Sequence, residues 1–150
     1  MNKKYEYDYP MMSATVDIIV YDSKSDTIAL IKRRNEPFKD YFALPGGYIE
    51  FNETAVNAAV RELSEECNIL IPSYKFKQIH TMTSPKRDPR GRVISIVYYV
   101  DLSTTDYTMD KLKAGDDAKD VQIIPYKEAI LMNLAFDHRY ALYIFSEKVV

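Results

Sequence analysis

Cysteine is almost absent from this 150-residue chain, because Cys67 is its only example. A single thiol cannot form an intrachain disulfide, and it excludes a zinc site that is built from several cysteines. We therefore expect a free, buried or half-buried thiol of the kind that a reducing compartment preserves. The predicted location is the cytoplasm.

Long apolar runs are absent as well. Nowhere do about 18 apolar residues follow one another without a charge, so the sequence predicts no transmembrane helix. The first residues, MNKKYEYDYP, place tyrosines and acidic residues where a signal peptide needs an apolar stretch. We therefore expect neither a membrane partner nor a secretory leader.

An excess of basic charge is also lacking, since 20 Lys and Arg face 22 Asp and Glu for a formal net charge of −2. Nucleic-acid backbones reward a basic surface, so we expect no nucleic-acid partner. A hydrophobic fraction of 47% with 28% charged residues is typical of a globular chain. No repeat, low-complexity tract or linker divides the sequence, which predicts one domain over residues 1–150.

Apolar, β-branched runs alternate with turn residues along the chain and predict a mixed α/β layer structure. Pro45-Gly46-Gly47 is expected to end the third strand, and Asn52 or Thr54 to cap the central helix. The predicted strands cover residues 13–21, 27–34, 41–44, 75–83, 92–102 and 120–126, and the predicted helices cover 54–67, part of 126–133 and the chain from 137 onward.

The central helix carries its glutamates on one stripe. At about 100° per residue, Glu62, Glu65 and Glu66 fall within about 100° of arc and one turn of each other. Like charges at these spacings destabilise a helix, whereas a divalent cation between them turns the repulsion into attraction. Carboxylate oxygens are the ligands that Mg²⁺ prefers, with water or phosphate in its other positions. We interpret the stripe as a metal site rather than a solvated charged face.

Residues around this stripe fit the same interpretation. Glu53, near the start of the helix, is a candidate further ligand or a residue that orients the ligands. Arg61 can pair with Glu65 or with Glu53 and fix the carboxylate geometry. Gly46 and Gly47 allow the backbone to approach a ligand closely, because neither has a Cβ atom.

This stretch resembles the Nudix box, G-x5-E-x7-R-E-U-x-E-E-x-G-U with U apolar. One fixed position departs from it, since Asn68 stands where the box has its second glycine, and asparagine also tolerates the left-handed conformation that closes a helix. The resemblance implies the Nudix fold, a mixed β-sheet between α-helices, and Mg²⁺-dependent hydrolysis of a nucleoside diphosphate linked to another moiety, with Mn²⁺ as an alternative metal. The matching residues are Gly47, Glu53, Arg61, Glu62, Leu63, Glu65, Glu66 and Ile69.

Three further segments, residues 84–98, 114–118 and 134–138, are similar to Nudix ADP-ribose pyrophosphatases of bacterial NAD metabolism and to related regulators that sense ADP-ribose. The resemblance implies ADP-ribose as the substrate, with AMP and ribose 5-phosphate as products. It also implies a homodimer, by analogy.

The first of these segments holds a basic loop. Arg87, Arg90 and Arg92 are candidates for binding the diphosphate or the terminal ribose phosphate. The alternative is a solvated basic turn that balances Asp88. Among aromatic residues, Tyr9, Phe38 and Tyr48 are candidates for stacking on adenine or for simple packing, and His80 and His138 are expected to pack.

In the predicted mechanism, Glu62, Glu65 and Glu66 hold one or more Mg²⁺ ions that bridge the diphosphate and lower the pKa of the attacking water. The general base is left open between Glu65 and Asp117, and Asp116 or Asp117 in the polar loop can instead serve a turn. The predicted catalytic residues are Glu65, Glu66, Arg61 and Asp117.

Three other functions are compatible with parts of this pattern. One is a Nudix hydrolase of ordinary or oxidised nucleoside triphosphates. Another is a sensor that binds ADP-ribose without cleaving it, although a pure sensor has no need for the intact glutamate set. A DNA-binding regulator of the resembling group carries an added winged-helix domain, which we do not expect in a chain that ends at Val150.

Overall fold

The structure is a computed structural model that describes residues 4–115 and 118–150. The described residues form one seven-stranded sheet and three α-helices, together with short 3-10 turns at Ser73–Lys75, Leu102–Thr104 and Met109–Lys111. The strands are β1 (Ser13–Asp22), β2 (Thr27–Arg33), β3 (Phe42–Ala43), β4 (Gly46–Tyr48), β5 (Lys77–Met82), β6 (Val93–Asp101) and β7 (Ala118–Pro125), and the helices are α1 (Ala55–Cys67), α2 (Tyr126–Ala129) and α3 (His138–Lys148).

Strand β1 is central to the sheet, which runs in the order β3-β2-β1-β6-β5, with β4 paired to β1 and β7 paired to β2. The β1–β6 pair is parallel, and the other pairs are antiparallel. Every residue from 15 to 21 is buried. A strand that is covered on both faces reads as a nearly continuous apolar run, which explains the SATVDIIVY sequence.

Successive side chains of β1 point into two separate cores. Ile18 belongs to the core that includes Leu63 of α1, whereas Ile19 belongs to the core that includes Phe145 of α3. Because side chains alternate along a strand, one sheet thus binds a helix on each face. The predicted mixed sheet between α-helices is confirmed.

Helix α1 begins and ends as its sequence predicts. Of the two candidate caps, Thr54 is the N-cap, and its hydroxyl accepts a hydrogen bond from the Asn57 amide at 3.3 Å. Asn68 closes the helix in the left-handed region at φ 55°, and its side-chain amide donates to the carbonyls of Lys113 and Ala114. The substitution for the box glycine is therefore accommodated locally.

Three parts of the sheet differ from prediction by more than one residue. Pro45-Gly46-Gly47 was expected to end a strand, but Gly46–Tyr48 forms a strand of its own, β4, because the glycine backbone pairs antiparallel with β1. The fifth strand begins at Lys77 rather than 75, since Ser73–Lys75 forms a 3-10 turn. Strand β7 begins at Ala118 instead of 120, where it pairs with Arg33 across a register shift. Within the described ranges, no helix is long and apolar enough to cross a bilayer.

Replacement of Asn68 by alanine should lower the free energy of unfolding by about 1–2 kcal/mol. Alanine is strained in the left-handed conformation of this position, and it cannot form the two hydrogen bonds that the Asn68 side-chain amide donates. Asn68→Gly should lose less, since glycine adopts this conformation freely. Urea denaturation of the three proteins measures the difference. An alanine variant more stable than the glycine variant would contradict this account of the helix end.

Candidate active site

Two glutamates of α1 pack directly against the glycines of β4. The Gly46 amide donates to Glu66 Oε2 at 2.7 Å, and a Cβ atom at Gly47 would lie only 2.3 Å from Glu62 Oε1. Glu62 is 7% exposed and Glu66 is 6% exposed. Buried carboxylates require polar partners, and here the bare glycine backbone provides the space and one of the donors.

Arg61 links the acidic residues around this contact. Its Nη2 lies 2.6 Å from Glu53 Oε1 and its Nε 3.1 Å from Glu53 Oε2, and its Nη1 lies 2.7 Å from Glu62 and 3.3 Å from Glu65. Nη2 also donates to the Tyr48 carbonyl at 2.9 Å. Of the two pairings predicted for Arg61, both occur, and the one with Glu53 is bidentate.

The two roles predicted for Glu53 can now be compared. The hydrogen bonds from Arg61 hold the pKa of Glu53 below its usual range, and the Glu50 amide adds a further hydrogen bond at 2.8 Å. Both carboxylate oxygens of Glu53 thus have donors. This arrangement favours Glu53 as a residue that orients Arg61 rather than as a ligand.

The donor set of the helix fits a hard divalent cation. Glu62, Glu65 and Glu66 supply only oxygen atoms, and with Glu53 they outnumber the single Arg61 guanidinium, so the cluster keeps an excess of negative charge. Among residues 4–115 and 118–150, no three or more His, Cys, Asp or Glu side chains are grouped closely enough to hold a metal ion as they stand. A cation at this site would therefore draw the glutamate side chains together.

A cleft above β1 and β4 opens to solvent, and the empty space between its walls is about 470 Å³. A second cleft of about 520 Å³ shares Ile31, Arg33 and Arg90 with the first and reaches Glu66. Together they form a groove from the aromatic residues to the acidic helix. The first cleft is lined by Thr15, Asp17, Ile31, Arg33, Leu44, Gly46, Gly47, Tyr48, Arg87, Asp88, Arg90, Phe136 and His138.

Two guanidinium groups and two aromatic rings meet in this groove. The Arg90 guanidinium carbon lies 4.9 Å from the ring centre of Tyr48 and 5.4 Å from that of Phe136, and that of Arg33 lies 4.9 Å from Phe136. Burial and the nearby Arg90 charge lower the pKa of Arg33, and the hydrogen bond with Asp88 raises the pKa of Arg90. Paired guanidiniums favour an anionic ligand with several oxygens.

The three arginines predicted to bind substrate occupy different environments. Arg90 is 37% exposed at its side chain and lines both clefts. Arg87 also lines the first cleft, but its side chain is only 3% exposed and forms a bidentate ion pair with Asp137 at 2.7 and 3.0 Å. Arg92 donates to the Thr83 carbonyl at 2.8 Å. The geometry therefore favours Arg90 for ligand contact and structural roles for Arg87 and Arg92.

Several groove residues were not identified from the sequence. Arg33 is the last residue of the apolar strand β2, and Phe136 lies in the segment 134–138 that was singled out only as a resemblance. Asp17 could have been identified from the sequence as a functional candidate, because it is a charged residue within an apolar run. Burial alone would raise its pKa, but interactions with His138, Ser95 and Arg87 hold the pKa of Asp17 below its usual range.

Other candidates are placed as follows. Phe38 packs against Phe136 with ring centres 4.8 Å apart, at the edge of the groove, whereas Tyr9 is exposed and His80 contacts Tyr140. Asp116 and Asp117 lie outside the described residues, so their roles stay predictions. The preceding residue, Gly115, donates its amide to the Glu66 carbonyl at 3.0 Å.

Residues 11–144 of the chain match the NUDIX domain family. The chain is 47% identical over 137 residues to the ADP-ribose pyrophosphatase of Methanocaldococcus jannaschii, a match that covers 91% of this chain and 73% of that protein. It is 30% identical over 138 residues to the ADPR responsive transcriptional repressor NtrR of Acinetobacter baylyi, which covers 91% of this chain and 53% of that protein.

A solved structure supports the same relationship. The bifunctional NMN adenylyltransferase/ADP ribose pyrophosphatase of Francisella tularensis, complexed with AMP and Mn ion, is 32% identical to this chain with a TM-score of 0.79. The match covers 95% of this chain and 43% of that protein. Because the family match spans most of the sequence, the chain belongs to the NUDIX family. The predicted Nudix fold and Nudix pyrophosphohydrolase class are thereby confirmed.

The two glycines of β4 should respond differently to alanine. At Gly47 the new Cβ meets the Glu62 carboxylate, so Gly47→Ala should displace that side chain and raise the Mg²⁺ concentration needed for half-maximal hydrolysis by about tenfold. At Gly46 it meets the Val16 carbonyl oxygen at 2.1 Å, so Gly46→Ala should destabilise the fold by about 1–3 kcal/mol. Metal titration and thermal denaturation measure the two effects. An unchanged metal dependence in Gly47→Ala would contradict the Glu62 assignment.

Proposed function

We propose that this chain hydrolyses ADP-ribose to AMP and ribose 5-phosphate in a Mg²⁺-dependent reaction. The observation that carries the proposal is the groove, in which Glu66 of the acidic helix borders the same space as Arg33 and Arg90. An oxygen-donor metal site and a guanidinium pair are thus adjacent, as a diphosphate bond requires. The 47% identical relative, which is an ADP-ribose pyrophosphatase, supports this substrate.

Glu62, Glu65 and Glu66 are the residues that would hold the cation. When bound, Mg²⁺ neutralises diphosphate charge and lowers the pKa of a coordinated water. The buried Glu62 and Glu66 are oriented by Arg61 and by the Gly46 amide respectively. These contacts hold both carboxylates beside the groove, so that a cation needs only local side-chain movements to gather its ligands.

Arg33 and Arg90 would bind the diphosphate. Both line the two adjoining clefts, and Arg33 is held in place by a hydrogen bond from its Nε to the Pro37 carbonyl at 2.8 Å. The Arg90 guanidinium pairs with Asp88 at 2.7 Å, which fixes its plane over the Tyr48 ring. Positively charged groups at fixed positions hold the two phosphates next to the acidic helix.

The aromatic end of the groove would accept the adenine base. Phe136 contacts Phe38 as well as both arginines, and Tyr48 faces Arg90. Flat purine rings stack on such side chains and gain from the apolar area that they bury. With the base at this end, the diphosphate reaches the arginines and the glutamates beyond them.

In the reaction, the oxygen of a water molecule forms a bond to one phosphorus, the bridging oxygen leaves with the other phosphate, and a general base takes the proton of the water. Glu65 is a candidate for this base, because its side chain is 46% exposed beside the acidic cluster and is held by Arg61 at 3.3 Å. Asp117 remains the other candidate. The homodimer and the cytoplasmic location stay predictions from the resemblance and from the lone thiol.

Glu66→Gln should lower kcat for ADP-ribose by about a hundredfold or more, since the amide removes a charged metal ligand. The glutamine oxygen can still accept the Gly46 hydrogen bond, so the fold should persist. Glu128→Gln is the matched control, because it removes the same charge from the exposed surface of α2 and should leave kcat unchanged. Chromatographic measurement of AMP release, with Mg²⁺ and with EDTA, tests all three proteins.

The same assay separates the alternatives. Preferred turnover of nucleoside triphosphates, judged by kcat/KM, would assign the chain to another Nudix activity. Calorimetric binding of ADP-ribose with no AMP released would indicate a sensor. Full activity in Glu66→Gln would refute the role of the helix glutamates.

A further inference from the structure

A buried histidine in the lining of the first cleft has no part in the chemistry described so far. His138, at the first turn of α3, is 3% exposed. Its Nδ1 accepts a hydrogen bond from the Leu44 amide at 3.0 Å, and its Nε2 lies 3.2 Å from Asp17 Oδ1. These partners define a neutral ring with the proton on Nε2, because an atom that accepts from an amide carries no proton itself.

A closed polar network holds this ring. Asp17 also accepts from the Ser95 hydroxyl at 2.5 Å and lies 3.7 Å from Arg87 Nη2. Arg87 in turn forms the bidentate pair with Asp137, the residue before His138 in the chain. The histidine is thus fixed from β1, from the loop after β5 and from its own helix, so it cannot rotate without breaking several buried contacts.

The network ends on the backbone that orients Glu66. Leu44 donates its amide to His138, the Pro45 carbonyl accepts from the Ile18 amide at 2.8 Å, and the Gly46 amide donates to Glu66. Three consecutive residues therefore connect the imidazole to the metal-site carboxylate. A displacement of the Leu44 amide would be transmitted to the Gly46 amide over about two peptide units, each of which is rigid.

We propose that His138 is a positioning residue, whose unprotonated Nδ1 holds the Leu44–Gly46 backbone in the register that orients Glu66 toward the metal. A buried polar network costs desolvation, and an apolar side chain could fill the same core space without that cost. An apolar side chain could not, however, accept the hydrogen bond from the Leu44 amide. The expected loss of kcat rests on the proposed hydrolytic function, whereas the expected change in the Leu44–Gly46 backbone does not.

Two substitutions separate the acceptor from the donor of the ring. In His138→Asn the side-chain oxygen can take the place of Nδ1 and accept from Leu44. In His138→Gln the side-chain amide can take the place of Nε2 and donate to Asp17, but no acceptor remains near Leu44. We expect His138→Gln to lose about 10- to 100-fold in kcat, as for other residues that orient metal ligands, with KM for ADP-ribose changed less than about twofold. His138→Asn should retain most of kcat.

A control variant measures the effect of lower stability alone on the reaction rate. Leu142→Ala removes a fully buried side chain from the same helix but leaves both partners of the Leu44–His138 hydrogen bond in place, so it should lower the melting temperature and leave kcat unchanged at a temperature where it is folded. Equal losses of kcat in Leu142→Ala, His138→Asn and His138→Gln would overturn the proposal, because they would show that only core packing matters.

Two measurements need no hydrolysis and keep the proposal testable if ADP-ribose proves not to be the substrate. Hydrogen exchange of the Leu44 and Gly46 amides in metal-free protein should accelerate in His138→Gln and stay slow in His138→Asn. Nitrogen-15 NMR of the wild-type histidine rings should show the tautomer with the proton on Nε2. A proton on Nδ1, or unchanged exchange in His138→Gln, would overturn the positioning role. A wild-type protein that shows the expected exchange but releases no AMP would refute the proposed function alone.

Discussion

The contact between the acidic face of α1 and the glycines of β4 determines the rest of the site. Glu62 and Glu66 are buried, and burial of an ionised carboxylate costs free energy unless it has polar partners. The Gly46 amide is such a partner for Glu66, and the Arg61 guanidinium is one for Glu62. The absence of a Cβ atom at Gly47 leaves the space that the Glu62 carboxylate occupies. Any side chain larger than hydrogen at position 47 would occupy the place of the Glu62 carboxylate. The Nudix box can therefore be understood as one packing requirement: an acidic helix placed against a bare strand.

The sheet explains why a binding groove adjoins this contact. Strand β1 pairs antiparallel with β4 and parallel with β6. The groove floor therefore combines residues of β1 and β4 with residues of the loop that precedes β6. The buried pair between Arg87 and Asp137 joins that loop to the start of α3. Arg90 and Phe136 are brought together by this connection, although 46 positions separate them in sequence. The residues proposed for phosphate recognition and those proposed for metal binding thus share one framework, as hydrolysis of a diphosphate would require.

Sequence alone was sufficient for features that depend on local spacing. The helical period placed the glutamates on one stripe, and cap preferences gave Asn52 or Thr54 for the start of α1, where Thr54 is the cap, and Asn68 for its end. It was insufficient where the partner lies far along the chain. Gly46 and Gly47 were interpreted as a strand ending, because nothing local indicates that β1 lies beside them. Arg87 and Arg90 look equivalent in the sequence, yet Asp137 draws one into the interior and Asp88 holds the other at the groove. Asp17 was visible as a charge in an apolar run, but its partners come from three other segments.

Anomalous diffraction from a crystal of the protein grown with Mn²⁺ tests the central claim most directly, since it locates the metal without reference to turnover. The account predicts a strong peak at about 2.0–2.2 Å from carboxylate oxygens of Glu62 and Glu66, with Glu65 directly or through water as a neighbour. It also predicts that Arg61 keeps its bidentate pair with Glu53 in that crystal. A metal bound elsewhere, with Glu62 still held by Arg61 and Glu66 by the Gly46 amide, would contradict the account.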